Sequence, residues 1–140
     1  MPLSASNLKV GDSHSDVVVH NLSRTQIVQY AGSSGDYNPL HSDEIYVTKV
    51  AGLPTVFAHG MLTMGLSGRL LTDWVGDGRL LSYGARFEKQ VWPGDTLTAT
   101  ATVEAIEDGE AGKVASLTIV TVNEAGDRVL SGTAKARLDP

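Results

Sequence analysis

The chain has 140 residues, 41% hydrophobic and 19% charged, with a formal net charge of −5. These globular values predict one domain over residues 1–140 with a core of its own, and argue against sequence-independent binding to nucleic acid or an anionic membrane. Cysteine is absent, which excludes a disulfide framework, a thiolate nucleophile and sulfur-ligated zinc.

The N-terminus, Met1 to Val10, holds one lysine and no apolar run, so no signal peptide is expected. Val17-Val18-Val19 reads as a short strand. Ser23 then caps a helix, with Gln26 three residues on to complete a capping box, and Ile27, Tyr30 and Ala31 fall at i, i+3 and i+4 on one face. Gly32-Ser33-Ser34-Gly35 ends that helix and delivers the chain to a turn, Asp36-Tyr37-Asn38-Pro39-Leu40-His41. A second short helical stretch is expected between Asp43 and Ala51.

From His59 to Trp74 the chain is apolar on nearly every face, through Met61, Leu62, Met64, Leu66, Leu70, Leu71 and Trp74. Such a helix is expected to be buried. Gly65 and Gly68 weaken it by about 1 kcal/mol each against alanine, which predicts close packing of another backbone. Thr63, Arg69 and Asp73 interrupt the stretch, so no membrane span is expected and the protein is placed in the cytoplasm.

The second half alternates. Leu81, Tyr83, Ala85 and Phe87 face one way, and Leu97, Ala99, Ala101 and Val103 line one side of a further strand opposite Thr96, Thr98, Thr100 and Thr102. Strands follow over Val114–Asn123 and Arg128–Leu138, with turns at Asp108-Gly109 and Asn123–Asp127. The fold class read from this pattern is α+β, an antiparallel meander wrapped round one buried helix.

Of four histidines, His14 and His20 carry no local signal, and no pair has metal-ligand spacing, so no metal is expected. For His59 a structural hydrogen bond is the plain reading. His41 differs because Pro39 fixes its own φ and drives Asn38 extended, while Gly35 permits an unusual backbone conformation. A stiff turn can aim Asp36 and His41 into one cleft, as acid–base work requires. Yet Asp, Asn, Gly and Pro are also ordinary turn residues.

The run Tyr30 to His41, with Ser34-Gly35-Asp36-Tyr37-Asn38-Pro39-Leu40-His41, closely resembles the hydratase signature of the MaoC-like, (R)-specific enoyl-CoA hydratase family. Ala58-His59-Gly60-Met61 before a glycine-bearing apolar helix is similar to a second landmark. Arg86-Phe87 followed by Pro93-Gly94-Asp95-Thr96-Leu97 is similar to a third. Together they span roughly residues 8 to 138. Within the family, Ala58 to Gly65 and Trp74 to Asp77 resemble the catalytic subunit of mycolate-pathway (3R)-hydroxyacyl-ACP dehydratases.

The resemblance implies a hot-dog fold, an antiparallel sheet round one long helix, in a homodimer or a heterodimer with another hot-dog subunit. It implies reversible hydration of trans-2-enoyl thioesters to (3R)-hydroxyacyl thioesters, with acyl-CoA or acyl-ACP as substrate and no cofactor beyond the CoA or phosphopantetheine the substrate carries. Asp36 and His41 would hold the reacting water, and the backbone N–H of Gly60 would receive the enolate oxygen, glycine leaving room for the thioester. Asn38 would brace the turn. Tyr37 and His59 are further substrate-side candidates, and Arg86 and Lys89 candidates for the phosphates of the carrier. Two departures touch the segment bordering the acyl site: Val47 stands where the family has a small residue, and the His41-to-His59 spacing is one residue longer. Two alternatives stand beside this reading. One is a hot-dog thioesterase, which also uses a carboxylate near the helix N-terminus but lacks the Asp36/His41 turn. The other is one subunit, catalytic or acyl-binding, of an obligate heterodimeric dehydratase.

Overall fold

The computed structural model describes residues 3–4 and 6–140. In chain order the elements are β1 (Ser13–Val19), α1 (Arg24–Ser34), a 3₁₀ turn (Pro39–His41), α2 (Glu44–Lys49), α3 (Gly60–Val75), β2 (Leu80–Phe87), β3 (Leu97–Gly109), β4 (Gly112–Val122) and β5 (Arg128–Arg137). The five strands form one antiparallel sheet in the order β1-β3-β4-β5-β2. Only β3-β4-β5 is a true meander. β2 crosses to the far side of β5 and β1 occupies the free edge of β3, so the expected plain meander is corrected in its strand order.

The α3 helix lies against this sheet. The inner sheet face is floored by small residues, Ala99, Ala101, Ala115, Ala134 and Ala136, between Leu97, Val103, Leu117, Ile119 and Leu130, all buried. Alanine at so many inward positions lets the helix approach closely, and Leu62, Leu70, Leu71 and Val75 fill the space. Ser67 and Thr121 meet there through a 2.6 Å hydroxyl–hydroxyl bond that satisfies two buried polar groups.

Expectation and structure differ at four local points. β1 starts at Ser13 rather than Val17, because its backbone pairs with β3 from Ser13↔Thr102 onward whatever the side chains. A register shift between Leu80 and Ser82 turns Leu81 outward, so the inward face of β2 is Leu80, Tyr83 and Ala85. The β3–β4 hairpin pairs Gly109 with Gly112, which moves its turn to Glu110-Ala111. Finally, α3 is covered on one side only. Met61 and Gly65 are exposed and Met64, Leu66 and Trp74 half-buried, because the sheet packs on the flank that carries Leu62, Leu70, Leu71 and Val75. Gly68 does meet a neighbour, Tyr83, whose ring would lie 3.0 Å from an added Cβ, whereas a Cβ at Gly65 would meet nothing within 4 Å among the described residues.

Candidate active site

The α1 helix delivers the chain to the site. The Ser23 side chain accepts from the Gln26 N–H at its start, and Gly35, at φ 76°, closes it in the left-handed region with its N–H on Ala31 O. The turn that follows is tied by its own side chains. The Asp36 N–H donates to Ser34 Oγ, the Asn38 N–H to Asp36 Oδ1 at 3.3 Å, and the Leu40 N–H to Asn38 Oδ1 at 3.0 Å. Asn38 therefore caps the 3₁₀ turn that carries His41.

Asp36, His41 and His59 come together, with one potential ligating atom from each lying within 4.8 Å of the others. His41 and His59 are buried, while Asp36 faces the open side of the single chain. The His41 Nδ1–H donates to the Phe57 carbonyl at 2.6 Å. A carbonyl only accepts, so in the neutral ring the proton sits on Nδ1 and Nε2 keeps its lone pair. Burial pushes the His41 pKa below its ordinary 6.5; the Phe57 carbonyl opposes that shift, His59 adds to it and Asp36 opposes it.

His59 stands just before α3. Its Nε2–H donates to the backbone carbonyl of Asp36 at 3.0 Å, and its ring stacks on His41 with centroids 3.8 Å apart and planes at 26°. Tyr30 meets the ring edge-on at 4.9 Å. No side chain among the described residues caps α3. The Leu62 and Thr63 N–H groups both turn to His59 O, whereas the Gly60 N–H has no acceptor among the described residues.

Gly60 opens onto a cleft of about 330 Å³ lined by Phe57, Ala58, Thr63, Phe87, Lys89 and Val91 among others. That volume lies at the small end of ordinary ligand pockets. An added Cβ at Gly60 would lie 2.8 Å from the Phe87 ring. A side chain here would force the half-exposed Phe87 ring to shift, a packing contact that the sequence did not disclose. Thr63, 3% exposed and one helical turn after Gly60, is a cleft residue that sequence reasoning missed; its only signal was a polar side chain on an apolar face.

The remaining candidates separate. Lys89 lines the cleft but is also paired with Asp127 at 2.7 Å. Arg86 lies outside it, in a shallow groove with Gly84, Ala85, Ser131, Gly132 and Thr133. Tyr37 is 71% exposed. Val47 is fully buried, its carbonyl accepting from the Leu53 N–H. As a chelating set the Asp36/His41/His59 group is poorly shaped. Carbonyls engage one nitrogen of each ring, and the other nitrogen of His59, Nδ1, is buried away from solvent. The arrangement suits moving a proton beside an uncapped helix N-terminus.

A family model described as "MaoC like domain" matches residues 7–124. The chain is 36% identical over 130 residues to an (R)-specific enoyl-CoA hydratase of Rhodospirillum rubrum, covering 91% of this chain and 86% of that one. It is 40% identical over 90 residues to 3-hydroxyacyl-thioester dehydratase Y of Mycobacterium tuberculosis, covering 62% of this chain and 31% of that protein. The chain spans less than a third of the length of most of the curated relatives it matches. Among solved structures, an (R)-hydratase from A. caviae involved in PHA biosynthesis superposes with a TM-score of 0.83 at 28% identity, over 96% of this chain and 99% of that one.

Proposed function

The chain belongs to the MaoC-like family, and we propose that it hydrates trans-2-enoyl thioesters to (3R)-hydroxyacyl thioesters, reversibly, in fatty-acid metabolism. One observation carries the reading. A carboxylate and a neutral imidazole with a free Nε2 come together, one potential ligating atom of each within 4.8 Å, beside a helix whose N-terminus has no side-chain cap among the described residues.

In this mechanism one water sits between Asp36 and His41. His41 Nε2 takes a proton from it as the oxygen attacks C3, and the Asp36 carboxylate accepts the water's second hydrogen bond. The electron pair of the double bond moves onto the thioester oxygen, where the Gly60 N–H and the α3 dipole meet the negative charge. The proton held by His41 then passes to C2, and the pair returns to its starting state. No metal or redox cofactor enters these steps. The apolar walls Phe57, Phe87 and Val91 suit an acyl thioester, and Lys89 at the cleft suits the phosphates of CoA or a carrier arm. Arg86 would reach that arm only outside the cleft, and Tyr37 would touch substrate only at the open side of the turn.

The same reading makes the working unit a dimer in the cytoplasm, whether of two copies or with another hot-dog subunit. Support comes from the open face of α3 at Met61 and Gly65, and from edge strand β2 with Leu81 and Phe87 exposed. No helix among the described residues is long and apolar enough to cross a membrane.

Incubation of the purified chain with crotonyl-CoA tests the activity. Enone absorbance should fall without release of thiol. Release of free CoA would instead establish a thioesterase, and activity appearing only with a second subunit would establish the heterodimer.

A further inference from the structure

His59 is 1% exposed, and its Nε2–H is committed to the Asp36 carbonyl. In the neutral ring that bond leaves Nδ1 as an acceptor, and this buried atom has no hydrogen-bond partner among the described residues. A phenylalanine would fill the same slot against Tyr30 and His41 without stranding a polar atom. What the imidazole adds over a phenyl ring is therefore the Nε2–H bond to the catalytic loop.

We propose that His59 is a positioning residue: through its bond to the Asp36 carbonyl and its face on the His41 ring, it holds both catalytic side chains in register with the first turn of α3. This rests on the hydratase reading above. The loop carrying Asp36 and His41 is tied internally by Ser34, Asp36 and Asn38, which stiffen it but do not place it relative to Gly60. Three links to the segment leading into α3 do that. Two converge on Phe57, whose N–H donates to Leu40 O at 3.4 Å and whose carbonyl accepts from His41 Nδ1–H, and the third is His59, which is adjacent to Gly60 in the chain and alone reaches the Asp36 end of the loop. Since Gly60 follows His59 directly, the peptide that presents the proposed oxyanion donor is the His59–Gly60 peptide itself. Moving that residue moves the donor and the dyad together.

The test compares His59→Phe, which keeps the stacked ring and removes the donor, with His59→Gln, whose amide N–H takes the place of Nε2–H. In the crotonyl-CoA assay, His59→Phe should lower kcat at least about tenfold with KM within about twofold, because misplacement of reacting groups by about 1 Å can cost a hundredfold. His59→Gln should keep kcat within about threefold of the parent, its donor holding the same geometry. Amide hydrogen exchange over residues 36–41 gives a readout independent of turnover, and should quicken at least about tenfold in His59→Phe but not in His59→Gln. If His59→Phe does not fold, His59→Asn, too short to reach the carbonyl, takes its place against His59→Gln. Parental kcat and exchange in the donor-less variant, or equal losses in both variants, would overturn the proposal. If the parent itself fails to hydrate crotonyl-CoA, the hydratase reading falls, and exchange alone decides whether His59 anchors the loop.

Discussion

Replacing His41 by Asn tests the dyad most directly, because the substitution separates what holds the ring from what the ring does. An asparagine amide nitrogen falls near the position of imidazole Nδ1, so the donor to the Phe57 carbonyl, 2.6 Å away in the parent, is retained. The group lost is Nε2. Loss of a positioned acid–base group typically costs about 10² to 10⁴ in rate, or about 2.7 to 5.4 kcal/mol on the barrier at 1.36 kcal/mol per tenfold. Asp36→Asn should cost a similar factor. Since the two side chains share one small space and act on one water, removing both should cost about as much as the worse single change. The assay is initial-rate hydration of crotonyl-CoA, with thermal unfolding followed on the same samples to show that the fold survives. Near-parental turnover in either single variant would refute the dyad. A double variant whose loss equals the product of the single losses would refute the shared water.

The pH dependence has a defined sign. Burial holds His41 below its ordinary value of 6.5, so the acid limb of kcat/KM should titrate below 6.5, and a limb above 7 would remove His41 as the base. Between the folded value and 6.5 the unfolded chain binds more protons, so this group's contribution to stability is present above that window and is lost as pH falls through it; denaturant titrations across the window check the direction. Ser67→Ala strands the Thr121 hydroxyl in the core and should destabilise by about 1–3 kcal/mol, whereas Ser67→Ala with Thr121→Val should recover much of that loss in a denaturant-measured double-mutant cycle. Gly65→Ala gains about 1 kcal/mol of helix propensity, and its Cβ meets no atom within 4 Å among the described residues. If a second subunit covers that face, sedimentation should show a weakened dimer, and an unchanged dimer with a raised Tm would place the partner elsewhere.

Much of the site was legible locally. The Asp36–His41 turn declared itself because its geometry is set by residues within a few positions: Gly35 in the left-handed region, Asn38 capping the next turn and Pro39 inside it. The Ser23 cap and the inward run Leu97, Ala99, Ala101 and Val103 were legible for the same reason. Such features depend on backbone torsions and on a period of two, and both are written in consecutive residues.

Other features depended on partners far away in the chain. That β2 pairs with β5 rather than β3 is decided by which edges remain after the hairpins close, and the outward turn of Leu81 follows from a register shift within that pairing. The packing of Phe87 on Gly60 and the bond from His59 to Asp36, 23 residues apart, exist only once α3 is seated on the sheet. Short-range sterics and alternation thus chose the elements and armed the turn. Long-range packing, with no counterpart in the spacing of neighbouring residues, chose where that turn points and what stands behind it.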